Sequence, residues 1–542
     1  MPDSARAEAG TWMRRLESGI HERSALIAAA VLTIGLVWRL WVAQATFFNT
    51  DEAWHFALAN QDSLWLAYRA SLTISHPPLL ILILHFWRAL GTSNLILRLP
   101  AVIAGTAFCW IFYGWLALVA GRAAAWVGLV LAAFLGPMIA TSADVRQNPL
   151  LLMFAVGALY FFEHALAEDS GLAMLASSAC LYCAMLSHYS AFFVAGALGL
   201  YAGVRIASQR PSPAVLIAWI AGQTGGVVLA GILYKTHLGR LNRLLSQSLL
   251  PQQYLFSSYF HKGEDHLLPF LYRGTFGVFR FVFGQTQVGQ LAAILFVAGL
   301  VLLVRGNESR DRGRYRTLAL LLLLPLVLNW IAAATELYPY GRMRQCMFLA
   351  IFALAGVSVC LSRIVRERSA PAVALALGIV VGCQAFGSLQ DRDALPLAEQ
   401  RHEHMDGALQ FIRSAISPAD LILTDKATSF QLRHYLCRQK PVAVEVKSDG
   451  MESFRCDGLH VLSTGPDDGA LSADGLAVRA QNSDQALGSV KRVWVVQGGW
   501  ASGLGEALRS QFPAFFQLEI HSFGRYLEVF QLPEPSAAPA ER

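Results

Sequence analysis

Eleven stretches of this chain are apolar for close to the length of a helix that crosses a bilayer. That repetition limits the fold more than any single motif does. A helix rises 1.5 Å per residue, so about 20 apolar residues span the hydrocarbon layer. The candidate spans are 24–46, 98–120, 122–141, 148–166, 171–186, 188–206, 213–235, 287–304, 317–335, 343–361 and 370–389. Ser187-His188-Tyr189-Ser190 divides what would otherwise be one run, 171–206, into two helices. Only 15% of residues are charged and 55% are hydrophobic, against about 25% charged in a soluble domain. The expected class is an α-helical multi-pass membrane protein.

The net charge of +6 does not indicate nucleic acid. The arginines lie in short loops between apolar runs, which is the positive-inside pattern. With the N-terminus cytoplasmic, the inner loops carry Arg122, then Arg205 and Arg210, then Arg305 to Arg316, then Arg363, Arg366 and Arg368. The outer short loops carry only Arg146, and then Arg342 and Arg344. Arg6, Arg14, Arg15 and Arg23 precede the first run, which is read as an uncleaved span. An odd number of spans puts the C-terminal region outside.

The expected organisation is a cytoplasmic segment 1–23, a membrane domain 24–390, an extracytoplasmic α/β domain 391–532 and a Pro/Ala-rich disordered tail 533–542. From about 391, strand-like runs at 421–423, 442–446, 459–462 and 493–496 alternate with helical stretches near 402–416, 427–438 and 502–511. Cys437 and Cys456 lie in this polar region and are expected to pair if it faces an oxidising space. The six other cysteines sit in apolar runs and read as small buried hydrophobes.

Two outer loops are long. In the first, roughly 47–97, residues 51–70 read as one membrane-surface helix ended by Pro77-Pro78. Residues 79–90 are apolar but too short to span, and read as a juxtamembrane helix. The second, roughly 236–286, is rich in His, Tyr and basic residues. The first loop opens with Asn49-Thr50-Asp51-Glu52, just past the first span. Asn49 and Glu52 have capping-box spacing. Asp51 and Glu52 also stand where low dielectric can raise a carboxylate pKa while substrate still arrives.

Asp51-Glu52, His76-Pro77-Pro78-Leu79, Arg146 after the third span, His188-Tyr189 between two spans and Tyr338-Pro339-Tyr340-Gly341-Arg342 together resemble the GT-C superfamily of membrane glycosyltransferases. The nearest branch is that of protein O-mannosyltransferases and lipid A aminoarabinose transferases, and the resemblance covers about 24–390. It implies a helical bundle with a cavity opening outward, a polyprenyl-phosphate-linked sugar donor and an inverting displacement. It also implies a bacterial inner (plasma) membrane. Ser75-His76 stands where aminoarabinose transferases carry Glu-Lys, and Tyr340-Gly341-Arg342-Met343-Arg344 replaces a Gly-Gly-x-Arg-like turn.

Displacement at a sugar C1 needs a base for the acceptor hydroxyl (of a lipid, glycan or protein) and positive charge, or a metal, for the leaving phosphate. Asp51 is the expected base, also by family position. Glu52 and His55 are acceptor- or metal-side candidates, which leaves a divalent cation as one option and no resident cofactor as the other. His76, Arg146, His188, Arg342 and Arg344 are candidates for the donor phosphate, with Lys235, His237 and Arg240 as secondary ones. Arg39 and Arg98, in or near spans, read as snorkelling or internally paired. The competing reading is a transporter or flippase. Transporters of common folds show internal repeats and helices broken within the membrane, and neither is visible in the sequence.

Overall fold

A computed structural model describes residues 22–240, 255–305, 312–390, 401–437, 442–446, 451–463, 492–498, 519–524 and 527–531. The N-terminal segment 1–21, the helix expected at 502–511 and the tail 533–542 lie outside the described residues. The apolar runs form helices: α1 (Ser24–Ala45), α5 (Asn94–Ala120), α6 (Arg122–Phe134), α7 (Gly136–Ala143), α8 (Asn148–Ala167), α9 (Gly171–Ser187), α10 (Ala191–Gln209), α11 (Pro213–Leu233), α13 (Thr286–Arg305), α14 (Arg312–Ala334), α15 (Leu349–Ile364) and α16 (Ser369–Gln390). The loop after α1 holds α2 (Thr50–Ala59), α3 (Leu64–Ser71) and α4 (Leu79–Trp87), and α12 (Leu267–Phe283) precedes α13. Local chemistry marks the starts. Ser63, Ser93 and Ser170 accept N–H bonds at the heads of α3, α5 and α9, and prolines occupy the first turns of α8 and α11.

Among the described residues, seven helices are long and apolar enough to cross a membrane, or eight if one bent pair counts as a span. The chain is an integral membrane protein. Of the eleven expected runs, α9, α15 and the apolar part of α16 form shorter apolar helices. The run at 122–141 is not one helix. It breaks at Leu135, and α6 and α7 meet at a 55° bend. Gly136-Pro137 supplies the reason, since proline suits only the first turn of the new helix. The last carbonyls of α6 would then be unpaired inside the bundle. Arg39, fully buried on α1, donates to Ala132 O at 2.9 Å and Ala133 O at 3.0 Å. Its charge sits at the negative end of the α6 dipole. A broken helix is thus present, against the sequence expectation, but an arginine plugs the break.

Two further corrections concern the loops. Residues 51–70 form two helices, α2 and α3, with Asn60 to Ser63 between them. The second loop contains α12, whose buried face includes Phe270, Val278, Phe279, Val282 and Phe283. Gly284, at φ +75°, ends α12 in a left-handed turn that only glycine adopts freely.

After the bundle come α17 (His402–Ala415), β1 (Leu421–Thr424), α18 (Lys426–Leu436), β2 (Glu445–Val446), β3 (Glu452–Cys456), β4 (Leu459–Ser463), β5 (Val493–Gly498), β6 (Ile520–Ser522) and β7 (Leu527–Gln531). The sheet order is β2-β3-β4-β1-β5-β7-β6. Strands β4, β1 and β5 are parallel and the flanking pairs antiparallel. Ile422, Val461 and Val496 from the parallel strands are fully buried, as expected for strands covered on both faces. The structure joins Cys437, at the C-cap of α18, to Cys456, the last residue of β3. α18 packs against α2, so the sheet domain touches the loop that follows the first span.

Candidate active site

Asn49 and Glu52 do form a capping box. The Asn49 side chain accepts from Glu52 N–H, and the Glu52 carboxylate accepts from Asn49 N–H, each at 3.0 Å. Glu52 does more than cap. Its side chain is fully buried and takes two bonds from Arg98, at 2.7 and 2.5 Å, plus one from Val145 N–H at 2.8 Å. Arg98 in turn donates to the carbonyls of Ala43, Thr46 and Phe47, which close the end of α1. Glu52 is therefore the centre of a buried bolt joining α1, α2, α5 and the turn before α8. Its candidacy as an acceptor- or metal-side group is corrected: its lone pairs are committed to protein donors.

Asp51 lies one residue earlier, about 100° around the helix, and its side chain keeps 28% of its exposure. It pairs with Arg146, and Arg344 stands 3.6 Å away. One carboxylate and two guanidiniums from widely separated stretches of the sequence thus meet at one end of the bundle. Arg146 is placed by a tight turn in which its N–H donates to Asp144 O at 2.8 Å, just ahead of α8. Arg342, two residues before Arg344, is half-buried. Its backbone fits against Gly277 of α12, where an added Cβ would lie 2.9 Å from Arg342 N.

Sequence reasoning missed Asp144. It is buried beside this group, and burial, reinforced by the charge of Glu52 and opposed by Arg344 and Arg98, pushes its pKa up to about 7. The available signal was an acidic residue at the end of a span, two positions from an arginine already singled out.

Three histidines form a row beside Asp51. The ring centroids of His55 and His76 are 6.1 Å apart, and those of His76 and His188 are 5.4 Å apart. His55 Nδ1 donates to Asp51 O at 2.6 Å. His188 Nδ1 accepts from Ser190 N–H at 3.0 Å. Burial lowers His55 and His188 to about 4, with Arg344 adding to the first. Burial and then His188, His55 and His237 hold His76 well below the ordinary histidine range. These rings are neutral near pH 7, so His76 and His188 offer hydrogen bonds and not the fixed positive charge expected of them. His55 Nε2, Gln147 Oε1 and Asn148 Oδ1 are buried with no hydrogen-bond partner.

Residues 75–235 match the sequence pattern of the dolichyl-phosphate-mannose-protein mannosyltransferase family. No curated protein matches by sequence. The fold resembles ArnT from Cupriavidus metallidurans in the apo state, with TM-score 0.52 and 12% identity over 94% of this chain and 98% of that one. The undecaprenyl phosphate-bound form of ArnT gives 0.51 and 12% over 95% and 99%. The archaeal oligosaccharyltransferase AglB from Archaeoglobus fulgidus, in complex with an inhibitory peptide and a dolichol-phosphate, gives 0.51 and 12% over 95% and 75%. The chain shares the fold of these membrane transferases. The matched segment carries His76, Arg146 and His188. Asp51 precedes it and Arg344 follows it.

In this fold the secondary candidates separate. His237 is buried, donates from Nε2 to Ile74 O at 2.7 Å and meets the Tyr189 hydroxyl through Nδ1. It ties the end of α11 to the first loop. Lys235 and Arg240 are exposed, so the three do not converge on one ligand. The donor set does not fit a divalent cation either. Glu52 is saturated by Arg98 and Val145, Asp51 faces two guanidiniums, and no group of three or more His, Cys, Asp or Glu among the described residues is arranged to hold one.

Proposed function

We propose that this chain is an inverting glycosyltransferase that moves a sugar from a polyprenyl-phosphate donor to a hydroxyl acceptor at the outer face of a bacterial inner membrane. The observation that carries the reading is the meeting of Asp51 with Arg146 and Arg344. A base for the attacking hydroxyl and a fork-shaped cation pair for phosphate are the two things this displacement asks for. The ArnT form described with undecaprenyl phosphate and the AglB form described with dolichol-phosphate support a lipid-phosphate donor.

The donor phosphate takes over the guanidiniums of Arg146 and Arg344, and Asp51 is released from them. The acceptor oxygen then attacks C1 from the face opposite the phosphate and gives its proton to Asp51. The C1–O bond to phosphate breaks, and the bonding pair leaves as polyprenyl phosphate, whose charge the arginines hold. Asp144, poised to ionise near neutrality, sets the local charge at this site. Neutral His55, with Nδ1 bonded to the Asp51 backbone carbonyl, helps hold the first turn of α2 that carries the base.

The orientation is part of the proposal: N-terminus cytoplasmic, sheet domain outside. The experiment is incubation of purified protein with polyprenyl-phosphate sugars, reading polyprenyl phosphate release by mass spectrometry. Absence of release with every donor tried, in protein that binds polyprenyl phosphate, sinks the reading.

A further inference from the structure

We infer that helix α18 of the sheet domain is the positioning element for the Asp51 carboxylate, acting through the two backbone groups of Phe48; this rests on Asp51 being the base. Phe48 N–H donates to the Tyr435 hydroxyl at 2.6 Å. Phe48 O accepts from Gln431 Nε2 at 3.0 Å. Gln431 and Tyr435 are four residues apart, so one face of α18 presents both. Phe48 stands immediately before Asn49, the N-cap of α2, and Asp51 is the second residue of that helix. Where Phe48 is held decides where the first turn begins.

Other contacts fix the same point. Asn94 Nδ2 donates to the Tyr435 hydroxyl at 3.0 Å, and His434 Nε2 donates to Asn94 Oδ1 at 2.8 Å. The His434 ring stacks on Phe48 at 4.3 Å between centroids. Farther along α2, Trp54 stacks on Phe430 at 5.8 Å. Phe48 is fully buried, and Gln431 and His434 retain 2% and 3% exposure.

An apolar contact would tolerate sliding. This one does not, because a shift of α2 along α18 leaves the Phe48 N–H, the Phe48 carbonyl and the Gln431 amide unpaired in a dry interface. The bonds therefore set register as well as adhesion. The arginines that face Asp51 lie on other elements, ahead of α8 and ahead of α15. Displacing α2 alone would move the base relative to the phosphate site, and a misplacement of about 1 Å costs about a hundredfold in rate.

The test uses the full-length protein with Tyr435→Phe and, separately, Gln431→Met. Three quantities are read: kcat for transfer from a polyprenyl-phosphate sugar, Kd for polyprenyl phosphate alone, and amide hydrogen exchange of the 47–59 peptide. Expected for each variant is a kcat lowered about 10- to 100-fold, an unchanged Kd, and faster exchange at 49–53 with the β1 and β5 peptides unaltered. Unchanged exchange at 49–53 overturns the hold on Phe48. Faster exchange with unchanged kcat overturns the positioning role. Exchange that quickens through the whole sheet, with Kd lost as well, reduces α18 to a stabilising part and overturns the inference. If the wild type transfers from no donor, the proposed function fails, while the exchange result still decides whether α18 holds Phe48.

Discussion

One step along a helix turns about 100°, and that step gives Asp51 and Glu52 different chemistry. Asp51→Asn is expected to lower turnover by about 10² to 10⁴-fold, the usual worth of a positioned base, with the variant still inserted and folded; near-normal turnover in the mass assay refutes the role. Glu52→Gln acts on stability, because it leaves the buried Arg98 charge without its counter-ion. Breaking such a pair costs about 3–5 kcal/mol, so a lowered melting temperature in detergent is the expected sign. At Arg146 and Arg344, lysine keeps the charge and loses the fork. Arg→Lys at either should weaken polyprenyl phosphate binding and slow transfer. Equal affinity and turnover in both Lys variants would remove them from the phosphate site. Asp144 adds a pH dependence. Its folded pKa lies above the value of 3.8 for a free carboxyl, at about 7, so the folded state binds the extra proton between those limits. Stability is then lost as pH rises through that window. Asp144→Asn, which stays neutral, should melt higher relative to wild type at pH 8 than at pH 5; a pH-independent difference would contradict the assignment.

At the scale of elements, hydropathy made the apolar helices legible, because a run of about 20 apolar residues has few other fates. It could not show the break at Leu135, since leucine, glycine and proline interrupt the backbone ladder without interrupting the apolar run. Arg39 was the clue: an arginine inside a span needs acceptors, and the freed carbonyls of α6 are those acceptors. Arg39→Leu leaves Ala132 and Ala133 without their donors and should cost about 2–6 kcal/mol, at 1–3 for each buried unpaired group. Lysine, with a single nitrogen, should restore only part. Unfolding in detergent would measure both, and full stability of the Leu variant would mean that water fills the break. The site was legible in parts. Asp51, Arg146 and Arg342 stood out by position, but spacing did not single out Arg344, the arginine that stands 3.6 Å from Asp51; the neutrality of His76 and His188 follows from burial, which no spacing reveals. α12 escaped notice because its apolar positions alternate with Arg273 and Arg280 within a polar loop.

At the scale of the whole molecule, the sheet domain is joined to the bundle through α18 and stapled to itself at Cys437 and Cys456. A closed loop of this size is worth about 3 kcal/mol. Mass spectrometry of alkylated, unreduced protein should find both sulfurs protected, and free thiols at both would argue against an oxidising compartment for this domain. The bond between Phe48 and Tyr435 also bridges 387 positions of sequence. Chains are made at about 5–20 residues per second, N-terminus first. The bundle is therefore threaded into the membrane well before its first loop receives the last parts that hold it. On this account a nascent or prematurely ended chain is inert towards the lipid pool around it, and competence arrives about 20–80 s after Phe48 is made. A chain stopped at Gln390 should insert and transfer nothing, and synchronised synthesis should show insertion leading activity by that interval.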